Sequence, residues 1–407
     1  MRPDLAVVKA EELVTMGADD GSLGIIEDGA LVVEGGRVVW TGSSAEFRRK
    51  SFAKPRKLVD ASGKLVTPGF VDPHTHLVFA GSREDELERK IAGESYVSIL
   101  DGGGGINRTM VETRKASRAR LVAEARGRVE QLARHGVTTA EVKTGYGQDL
   151  ASELKLLDVI RALGRTGPVE LVPTFLGLHS RPPEFGKADE YVDYAVKTML
   201  PEIARRRPAF SDCFCEEGVF SGEQCARYLR ASKSLGLALK IHADEFAESG
   251  GASLAAEMGC ISADHLGRSG RSGVEEMAKK GVAAVLLPGT SLYSAIGYAD
   301  AGMIADTGCS IALGTDLSPN SWIESPQVVM MLACNAMKMT PAAALRGVTV
   351  EAAKALGRDD IGRLSPGARA DFAIHDLPSY RFLPYRVGGD YVSAVFKGGA
   401  EIFSSSA

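Results

Sequence analysis

The stretch Pro68-Gly-Phe-Val-Asp-Pro-His-Thr-His76 joins a short apolar run to two histidines that are separated by a single residue. The run fits a buried strand, and His74 and His76 follow its end. In an extended backbone, residues i and i+2 point to the same side, so both imidazoles can converge on one ion. This stretch therefore predicts a metal site at the carboxyl end of a strand.

Apolar runs of this kind recur along the chain and alternate with segments of helical periodicity. The eight predicted strands are 65–71, 137–143, 169–175, 209–215, 237–242, 261–265, 282–288 and 310–316. Helical periodicity is clearest over 116–134, 151–163, 225–235 and 274–280. Eight such units predict an α/β fold, a (β/α)8 TIM-like barrel whose active site lies at the carboxyl ends of the strands.

The two ends of the chain have a different pattern, in which short β-branched runs are interrupted by glycine pairs. Ala30-Leu-Val-Val33 and Val38-Val-Trp40 flank Gly35-Gly36, and similar runs occur at 370–375 and 391–396. Such runs predict strands, and the glycine pair predicts a hairpin. We expect residues 1–63 and 369–407 to form one small β-sandwich domain. Residues 64–368 then form a metal-dependent (β/α)8 barrel hydrolase domain.

The composition narrows the class of protein. The 407 residues include 48 basic and 52 acidic side chains, a balance that does not favour nucleic-acid binding. No apolar run approaches the length of a membrane span, and the first residues lack a signal-peptide pattern, which predicts a soluble cytoplasmic protein with no membrane partner. The six cysteines are scattered through a large chain, so we expect them to be reduced and mostly buried.

Further polar residues fall at the ends of later predicted strands. His242 ends the fifth strand, His265 the sixth and Asp316 the eighth. A barrel brings these strand ends into one ring with His74 and His76. Three imidazoles and one carboxylate suit zinc or iron, with a remaining position for water. A bound metal lowers the pKa of that water towards about 7, which predicts hydrolysis by a hydroxide on a single metal ion.

Two acids follow the fifth strand, within His242-Ala-Asp-Glu-Phe246. Glu245 is a candidate proton donor, whereas Asp244 is predicted to be a loop acid or a helix cap. A site with two metals is the alternative design, and it usually needs a bridging anion such as a carboxylated lysine. Lys143 is the only obvious lysine near a suitable strand end. Its position on the second strand instead favours a single metal.

Several longer strings carry a family resemblance that covers residues 65 to 365. They are Pro68-Gly-Phe-Val-Asp-Pro-His-Thr-His76, Phe79-Ala-Gly-Ser-Arg-Glu-Asp-Glu86, Gly103-Gly-Gly-Ile106, Glu141-Val-Lys-Thr-Gly-Tyr-Gly147, Thr174-Phe-Leu-Gly-Leu-His179 and His242-Ala-Asp-Glu-Phe246. The first string resembles the first-strand signature of the amidohydrolase superfamily. The others in combination resemble the imidazolonepropionases, a family within it.

This resemblance implies hydrolysis of the cyclic amide 4-imidazolone-5-propanoate to N-formimidoyl-L-glutamate in L-histidine degradation. It implies one Zn²⁺ or Fe³⁺ ion per subunit and a homodimer. The implied metal ligands are His74, His76, His242 and Asp316. The implied proton-handling residues are Glu245, His265 and Asp316. The implied substrate contacts are Arg83, Tyr96, Tyr146, His179 and Glu245, with Ser318, Asn320 and Ser321 in the eighth-strand segment.

One segment departs from the family pattern. After the metal-binding aspartate the family often has Asp-x-Asn-Pro-Gly, and here the segment is Asp316-Leu-Ser-Pro-Asn-Ser321. Ser318 replaces the usual asparagine, and Asn320 replaces the glycine. We expect the substrate contact of the missing asparagine to be remade by water or by Asn320. The metal site is unaffected by this change.

The same site suggests two rival functions. A purine or pyrimidine deaminase of the same superfamily would use the same strand-end residues, and release of ammonia from aminated bases would identify it. A non-catalytic binding protein could keep the barrel after losing its ligands. The intact ligand set argues against that second rival. For the hydrolase, we expect His265 or Asp316 to take a proton from water and Glu245 to give one to the departing ring nitrogen.

Overall fold

A computed structural model of the chain describes residues 2–17, 21–50, 52–94, 99 and 102–405. The strands, in chain order, are Leu5–Val14 (β1), Ile25–Glu34 (β2), Arg37–Ser43 (β3), Lys57–Asp60 (β4), Leu65–Pro68 (β5), Phe70–Asp72 (β6), Val137–Lys143 (β7), Glu170–Leu178 (β8), Phe210–Cys215 (β9), Ala238–Ala243 (β10), Ser262–His265 (β11), Ala283–Leu286 (β12), Ile311–Leu313 (β13), Phe372–His375 (β14), Val392–Lys397 (β15) and Ala400–Ser404 (β16).

Helices lie between most of these strands. They are Ser44–Arg49 (α1), Asp85–Ile91 (α2), Gly105–Lys115 (α3), Arg118–Arg134 (α4), Leu150–Thr166 (α5), Ala188–Tyr194 (α6), Leu200–Arg205 (α7), Gly222–Ser234 (α8), Gly251–Met258 (α9), Arg271–Lys280 (α10), Pro288–Tyr293 (α11), Ala301–Asp306 (α12), Pro326–Ala336 (α13), Pro341–Gly347 (α14), Val350–Ala355 (α15) and Phe382–Tyr385 (α16). A π-helical turn at Ala195–Met199 joins α6 to α7.

The eight strands from β6 to β13 form one parallel sheet in which each strand pairs with the next along the chain. A bridge between Thr75 and Leu317 joins the two ends of this sheet just beyond β6 and β13. The sheet is therefore a nearly closed barrel, as the alternation of apolar runs and helical segments predicted. Its carboxyl ends lie on one rim, which is where the predicted metal ligands are needed.

The second sheet combines the two ends of the chain, in the order β16-β15-β14-β5-β1-β2-β3, with β4 paired to β1. Its two halves share one apolar cluster, which includes Leu13 and Leu31 from the first half and Phe372 and Phe396 from the last. The backbone N–H of Ala370, just before β14, also donates to the carbonyl of Gly36 in the turn between β2 and β3. This confirms a small β domain built from both chain ends.

The predicted strand 65–71 is in fact two strands in different sheets, which corrects the sequence analysis. β5 pairs with β1 and β14 in the sheet of the chain ends, whereas β6 pairs with β7 in the barrel. The chain changes sheets at Gly69, where a Cβ atom would lie 2.4 Å from side-chain atoms of Thr138. The predicted division of the chain at residues 63 and 369 stays a prediction, with β5 lying beyond it in the sheet of the chain ends.

The last barrel strand is shorter than the predicted segment 310–316. β13 ends at Leu313 because the residues after it form hydrogen bonds with the end of β6, the first strand of the barrel, and with the segment that follows it. The backbone N–H of Thr315 donates to Asp72 at 3.1 Å, and that of Asp316 donates to the carbonyl of His74 at 3.0 Å. These bonds tie the eighth strand end to the His-x-His segment.

Two further expectations concern the chain as a whole. All six cysteines are free thiols, and all but Cys334 are buried. In the part of the chain that the structure describes, every helix is too short or too polar to cross a membrane.

Candidate metal and active site

Three histidines converge at the carboxyl rim of the barrel. His74 and His76 follow β6, and His242 lies near the end of β10. Nε2 of His76 lies 3.2 Å from Nε2 of His74 and 3.5 Å from Nε2 of His242. All three residues are buried, and their ligand atoms lie within 4.8 Å of one another. The structure thus brings together the predicted imidazoles.

Asp316 completes this group from the last strand end. Its Oδ1 lies 3.5 Å from Nε2 of His74 and 3.6 Å from Nε2 of His76. A tetrahedral ion bound at roughly 2.0–2.1 Å holds two of its ligand atoms about 3.3 Å apart. The observed separations are close to that value. Asp316 is therefore spaced from His74 and His76 as a further ligand of the same small ion would be.

The tautomers of two of these histidines are set by buried aspartates. Nδ1 of His74 lies 2.7 Å from Oδ2 of Asp264, and Nδ1 of His242 lies 3.1 Å from Oδ2 of Asp212. A carboxylate only accepts hydrogen bonds, so each Nδ1 carries the hydrogen and each Nε2 presents its lone pair. These lone pairs and the Asp316 carboxylate form an array of acceptors facing one another. A cation fits such an array.

The pKa values of His76, His242 and Asp316 agree with that array, and the pKa of His74 is shifted in the opposite direction. Burial lowers the pKa of His242, and burial with the nearby charge of His179 holds that of His76 well below its usual range. The pKa of His74 is raised, because its bonds to Asp264 and Asp316 outweigh burial and Lys143. Although burial opposes it, His74 lowers the pKa of Asp316 to about 2. Asp316 is therefore a carboxylate at neutral pH.

A loop after β10 presents Glu245, and another carboxylate holds this loop in place. Glu216 accepts backbone N–H groups from Glu245 at 2.8 Å, Phe246 at 3.0 Å and Ala247 at 2.9 Å. Asp244 accepts from the N–H groups of Gly251 at 2.9 Å and Ala252 at 3.2 Å, at the start of α9. The interpretation of Asp244 as a helix cap agrees with these bonds. Both acids orient backbone and leave Glu245 to face the site.

Glu245 and His265 lie side by side next to the metal ligands. Oε2 of Glu245 is 3.7 Å from Nδ1 of His265, and the ring centroid of His265 is 5.4 Å from that of His74. Burial, with the charges of Asp316 and Glu216, raises the pKa of Glu245 well above its usual range. Burial also holds the pKa of His265 well below its usual range. These shifts favour the protonated form of Glu245 beside the neutral form of His265.

Two of these strand-end residues have a backbone conformation that L-residues rarely adopt. His265 has a φ of 77° and Asp316 a φ of 50°, both in the left-handed region. Non-glycine residues stay there only where the surrounding structure holds them. Asp72 supplies part of that support, since it accepts from both the N–H and the hydroxyl of Thr315. Burial raises the pKa of Asp72 to about 6.

Tyr146 and His179 form one wall beside His76. The ring centroid of His179 lies 5.0 Å from that of His76 in a stacked arrangement, and Tyr146 lies 5.7 Å from His76. Burial lowers the pKa of His179 to about 3. Glu153 anchors the loop that carries Tyr146 by accepting the N–H groups of Gly145, Gly147 and Gln148. The structure thus brings both predicted substrate contacts next to the ligands.

Two positively charged side chains, Lys90 and Arg83, contact Asn320 in the segment that follows Asp316. Nζ of Lys90 donates to Oδ1 of Asn320 at 2.9 Å, and Nη2 of Arg83 lies 3.5 Å from the same oxygen. Arg83 is buried and also pairs with Glu86 at 2.9 Å. Lys90 is half-buried, and among the described residues no carboxylate lies within ion-pair distance of it. Burial, together with Arg83, lowers the pKa of Lys90.

The serines of this segment bond to each other. The N–H of Ser318 donates to the carbonyl of Ser321 at 3.1 Å, and the N–H of Ser321 donates to Oγ of Ser318 at 3.2 Å. Oγ of Ser321 is buried without a hydrogen-bond partner among the residues that the structure describes. The remaining predicted substrate contact, Tyr96, lies outside the described residues.

Sequence reasoning missed the residues that support the ligands. They are Asp72, Lys90, Asp212, Glu216 and Asp264, while Lys143 was considered only as a bridge between two metals. A signal for several of them was present, because a charged residue inside a predicted buried strand needs a partner. Asp212 and Asp264 both fall inside such strands. The hydrophobic periodicity of the sequence does not indicate which residue pairs with each of these aspartates.

Comparisons with known proteins agree with this site. Residues 57–92 and 86–403 match the model of the amidohydrolase family. An imidazolonepropionase of Geobacillus kaustophilus is 45% identical over 417 residues, which cover 98% of this chain and 97% of that protein. One from Parabacteroides distasonis is 44% identical over 387 residues, covering 94% and 93%.

Two solved structures resemble the fold at low sequence identity. A zinc-bound adenosine deaminase of Xanthomonas campestris has a TM-score of 0.77 at 19% identity, covering 98% of this chain and 93% of its own. A 5-methylcytosine deaminase of Klebsiella pneumoniae has a TM-score of 0.75 at 16% identity, covering 99% and 98%. At these identities the likeness concerns the fold alone.

Proposed function

The chain belongs to the imidazolonepropionase family of the amidohydrolases, and we propose how the residues of its site carry out that family's reaction. The protein is a metal-dependent hydrolase that acts on a carbon–nitrogen bond of a cyclic amide. It converts 4-imidazolone-5-propanoate to N-formimidoyl-L-glutamate in L-histidine degradation. The observation that carries the proposed mechanism is the convergence of four ligand atoms beside an acid–base pair.

His74, His76, His242 and Asp316 would hold one ion per subunit, either Zn²⁺ or Fe³⁺. Three nitrogens and one carboxylate oxygen suit both metals. When bound, the ion activates a water molecule as the nucleophile and withdraws charge from the ring carbonyl. The support for this ligand set is the separation of 3.2–3.6 Å between donor atoms of His76 and each of His74, His242 and Asp316, and between those of His74 and Asp316.

His265 and Glu245 would move the protons. Neutral His265 takes a proton from the attacking water as its oxygen adds to the ring carbonyl carbon. Glu245 starts protonated and gives its proton to the ring nitrogen as the carbon–nitrogen bond breaks. The product is a carboxylic acid with a protonated nitrogen. It returns the proton of its new hydroxyl group to Glu245 and leaves as a carboxylate, and His265 releases its proton to solvent. The separation of 3.7 Å between the two side chains and their opposite pKa shifts support this division.

Arg83, Lys90 and Asn320 would bind the propanoate carboxylate of the substrate. Both cations only donate hydrogen bonds, so the amide of Asn320 turns its oxygen to them and holds them together. Its nitrogen donates to Ser294 at 3.2 Å, which fixes that orientation. Lys90 has a neutral partner where an anion would bind more strongly. Asn320 would thus replace the asparagine that the family often has at position 318.

The other predicted contacts would surround the ring. Tyr146 and His179 stand beside His76 and would contact the imidazolone. Ser318 and Ser321 follow Asp316 and would donate hydrogen bonds near the carbonyl, for which the unpartnered Oγ of Ser321 is available among the described residues. Contact by Tyr96 stays a prediction. We also propose that the protein is a cytoplasmic homodimer.

Metal analysis combined with a spectroscopic assay of imidazolonepropanoate loss tests this function directly. We expect one equivalent of metal per chain and loss of the ring chromophore only in metal-loaded protein. Ammonia release from aminated purines or pyrimidines, with no opening of imidazolonepropanoate, would contradict the assignment and indicate a deaminase.

A further inference from the structure

A cluster of five charged side chains fills the barrel interior below the metal ligands. The cluster, which we call the buried ion cluster, consists of Glu141, Lys143, Asp212, Lys240 and Asp264. All five side chains have an exposed fraction of 0%. Burying charges in this way is costly and is offset only by close pairing. The positions of these five groups therefore depend strongly on one another.

Lys143 is the centre of the buried ion cluster. Its Nζ lies 2.7 Å from Oδ2 of Asp212, 3.1 Å from Oδ2 of Asp264 and 3.0 Å from Oε1 of Glu141. The ammonium group donates hydrogen bonds to Glu141 and Asp212 and forms an ion pair with Asp264. The pairing also leaves no neutral amine for carboxylation, because an anion at this position would face three carboxylates. Lys143 is thus unsuited to bridge two metals.

The two aspartates that Lys143 contacts are those that orient the metal ligands. Oδ2 of Asp264 is shared between Lys143 and Nδ1 of His74, and Oδ2 of Asp212 is shared between Lys143 and Nδ1 of His242. One ammonium group thereby connects the supports of two ligands that come from different strands. No other described residue has ion pairs to both aspartates.

We propose that Lys143 is a positioning residue for the metal, which holds Asp212 and Asp264 together so that His74 and His242 keep their ligand geometry. This inference rests on the proposed function of the site as a metal centre. Without the ammonium group, two carboxylates and Glu141 would face one another in a buried space and repel. The aspartates would then turn away, and both imidazoles would lose their fixed orientation.

Loss of one partner of a ligating histidine typically weakens metal binding about 10- to 100-fold. Because Lys143 supports two such partners, we expect Lys143→Met to raise the dissociation constant for zinc at least about 10-fold. Metal affinity distinguishes positioning from a merely structural role, since a structural defect would lower the stability of the metal-free protein without a selective loss of zinc.

Lys240 provides the matched control. Its Nζ is equally buried but contacts Glu141 and, at 3.1 Å, the carbonyl of Pro73. No hydrogen bond or ion pair joins it to Asp212 or Asp264 among the described residues. Lys240→Met therefore removes a buried lysine from the same cluster without removing a hydrogen bond or ion pair of either aspartate, and Asp264 loses only the weaker attraction of a more distant charge.

The experiment compares wild-type protein, Lys143→Met and Lys240→Met in full-length form. Zinc affinity is measured by competition with a chromogenic chelator, and the unfolding of each metal-free protein is followed in urea. We expect Lys143→Met to bind zinc at least about 10-fold more weakly and Lys240→Met to stay within about threefold of wild type. The visible spectrum of cobalt-substituted protein should change in Lys143→Met alone.

Two outcomes would overturn the inference: zinc affinity of Lys143→Met within threefold of wild type, or equal losses in both variants. If Lys143→Met does not fold, Lys143→Gln replaces it, because its amide keeps donors but lacks the charge. Failure of wild-type protein to bind zinc or to open the substrate ring would contradict the proposed function instead. Both properties of the wild-type protein are therefore measured before the variants are compared.

Discussion

Nδ1 of His265 lies 3.7 Å from Oε2 of Glu245, although the two side chains come from the ends of neighbouring strands. Burial moves their pKa values in opposite directions, which favours the protonated acid and the neutral imidazole. An enzyme that must both remove and deliver a proton at neutral pH needs such a pair. This relationship assigns a distinct role to each residue.

Glu245→Gln tests the acid. The amide keeps the size of the side chain but has no proton to give, so we expect kcat to fall by about 10²- to 10⁴-fold. Metal content should equal that of wild type, because Glu245 is not among the four ligands. Steady-state kinetics and metal analysis measure both effects. A kcat within tenfold of wild type would rule out the role as proton donor.

His242→Ala tests the ligand set. The variant lacks one of three nitrogens and leaves Asp212 without its partner, so we expect metal and activity to be lost together. His135→Ala is the control, since His135 lies at the end of α4 and away from the rim. Elemental analysis after purification measures the metal. Full metal content with near-normal turnover in His242→Ala would show that the ligand set is wrong.

Arg83→Ala and Lys90→Met test recognition of the substrate carboxylate. A hydrogen bond to a charged group contributes about 1.5–3 kcal/mol, so each change should raise KM by about 10- to 150-fold. Metal content should change little. Lys115→Met, which removes an exposed lysine from the end of α3, is the matched control. Equal KM values in Lys90→Met and Lys115→Met would show that Lys90 does not bind the substrate carboxylate.

His375→Gln tests the acid sensitivity of the sheet formed by the two chain ends. Nε2 of His375 lies 3.0 Å from Oγ1 of Thr67, and burial lowers the pKa of His375 to about 3. The same group titrates near 6.5 in the unfolded chain, so below about pH 6.5 the unfolded state binds a proton that the folded state does not. The stability that neutral His375 contributes is therefore complete above that pH and is lost as the pH falls towards 3.

The expected loss is about 1.4 kcal/mol per pH unit over this range. Between about pH 6.5 and pH 4, the free energy of unfolding should therefore fall by about 3 kcal/mol more in wild type than in His375→Gln. Urea titrations of both proteins at the two pH values measure this difference. Parallel losses in the two proteins would contradict it.

Gly69→Ala tests the point at which the chain changes sheets. The new Cβ would lie 2.4 Å from Cγ2 and Oγ1 of Thr138, which is fully buried, so we expect a loss of about 1–3 kcal/mol in stability. Adding Thr138→Ala removes both clashing atoms and should restore part of the lost stability. Gly127→Ala is the control, since a Cβ there meets nothing within 4 Å, and its α4 position should gain about 0.5–1 kcal/mol.

Much of the fold could be predicted from the sequence, because apolar runs report burial directly. The runs located all eight barrel strands, and the barrel then placed His242, His265 and Asp316 on one rim. The division at Gly69 could not be predicted in this way. β5 and β6 follow each other without a turn, so the apolar run is continuous although its halves belong to different sheets.

The supports of the site were harder to predict than the ligands. Lys143 pairs with Asp212 across 69 positions of sequence, and this pairing depends on how neighbouring strands are aligned. Local sequence patterns carry no information on that alignment. The position of Asn320 beside Lys90 also depends on where α2 lies against the eighth strand end. Such contacts follow from the assembled barrel alone.

At His265 and Asp316 a left-handed backbone, which lowers stability, coincides with a side chain that the reaction needs. Glycine adopts that conformation without strain, so glycine at either position would relieve the backbone while removing a functional side chain. Selection of variants for heat resistance alone would therefore favour loss of these two functional side chains. An engineering programme for a more durable enzyme must screen turnover and melting temperature together, since the two quantities pull in opposite directions at these residues.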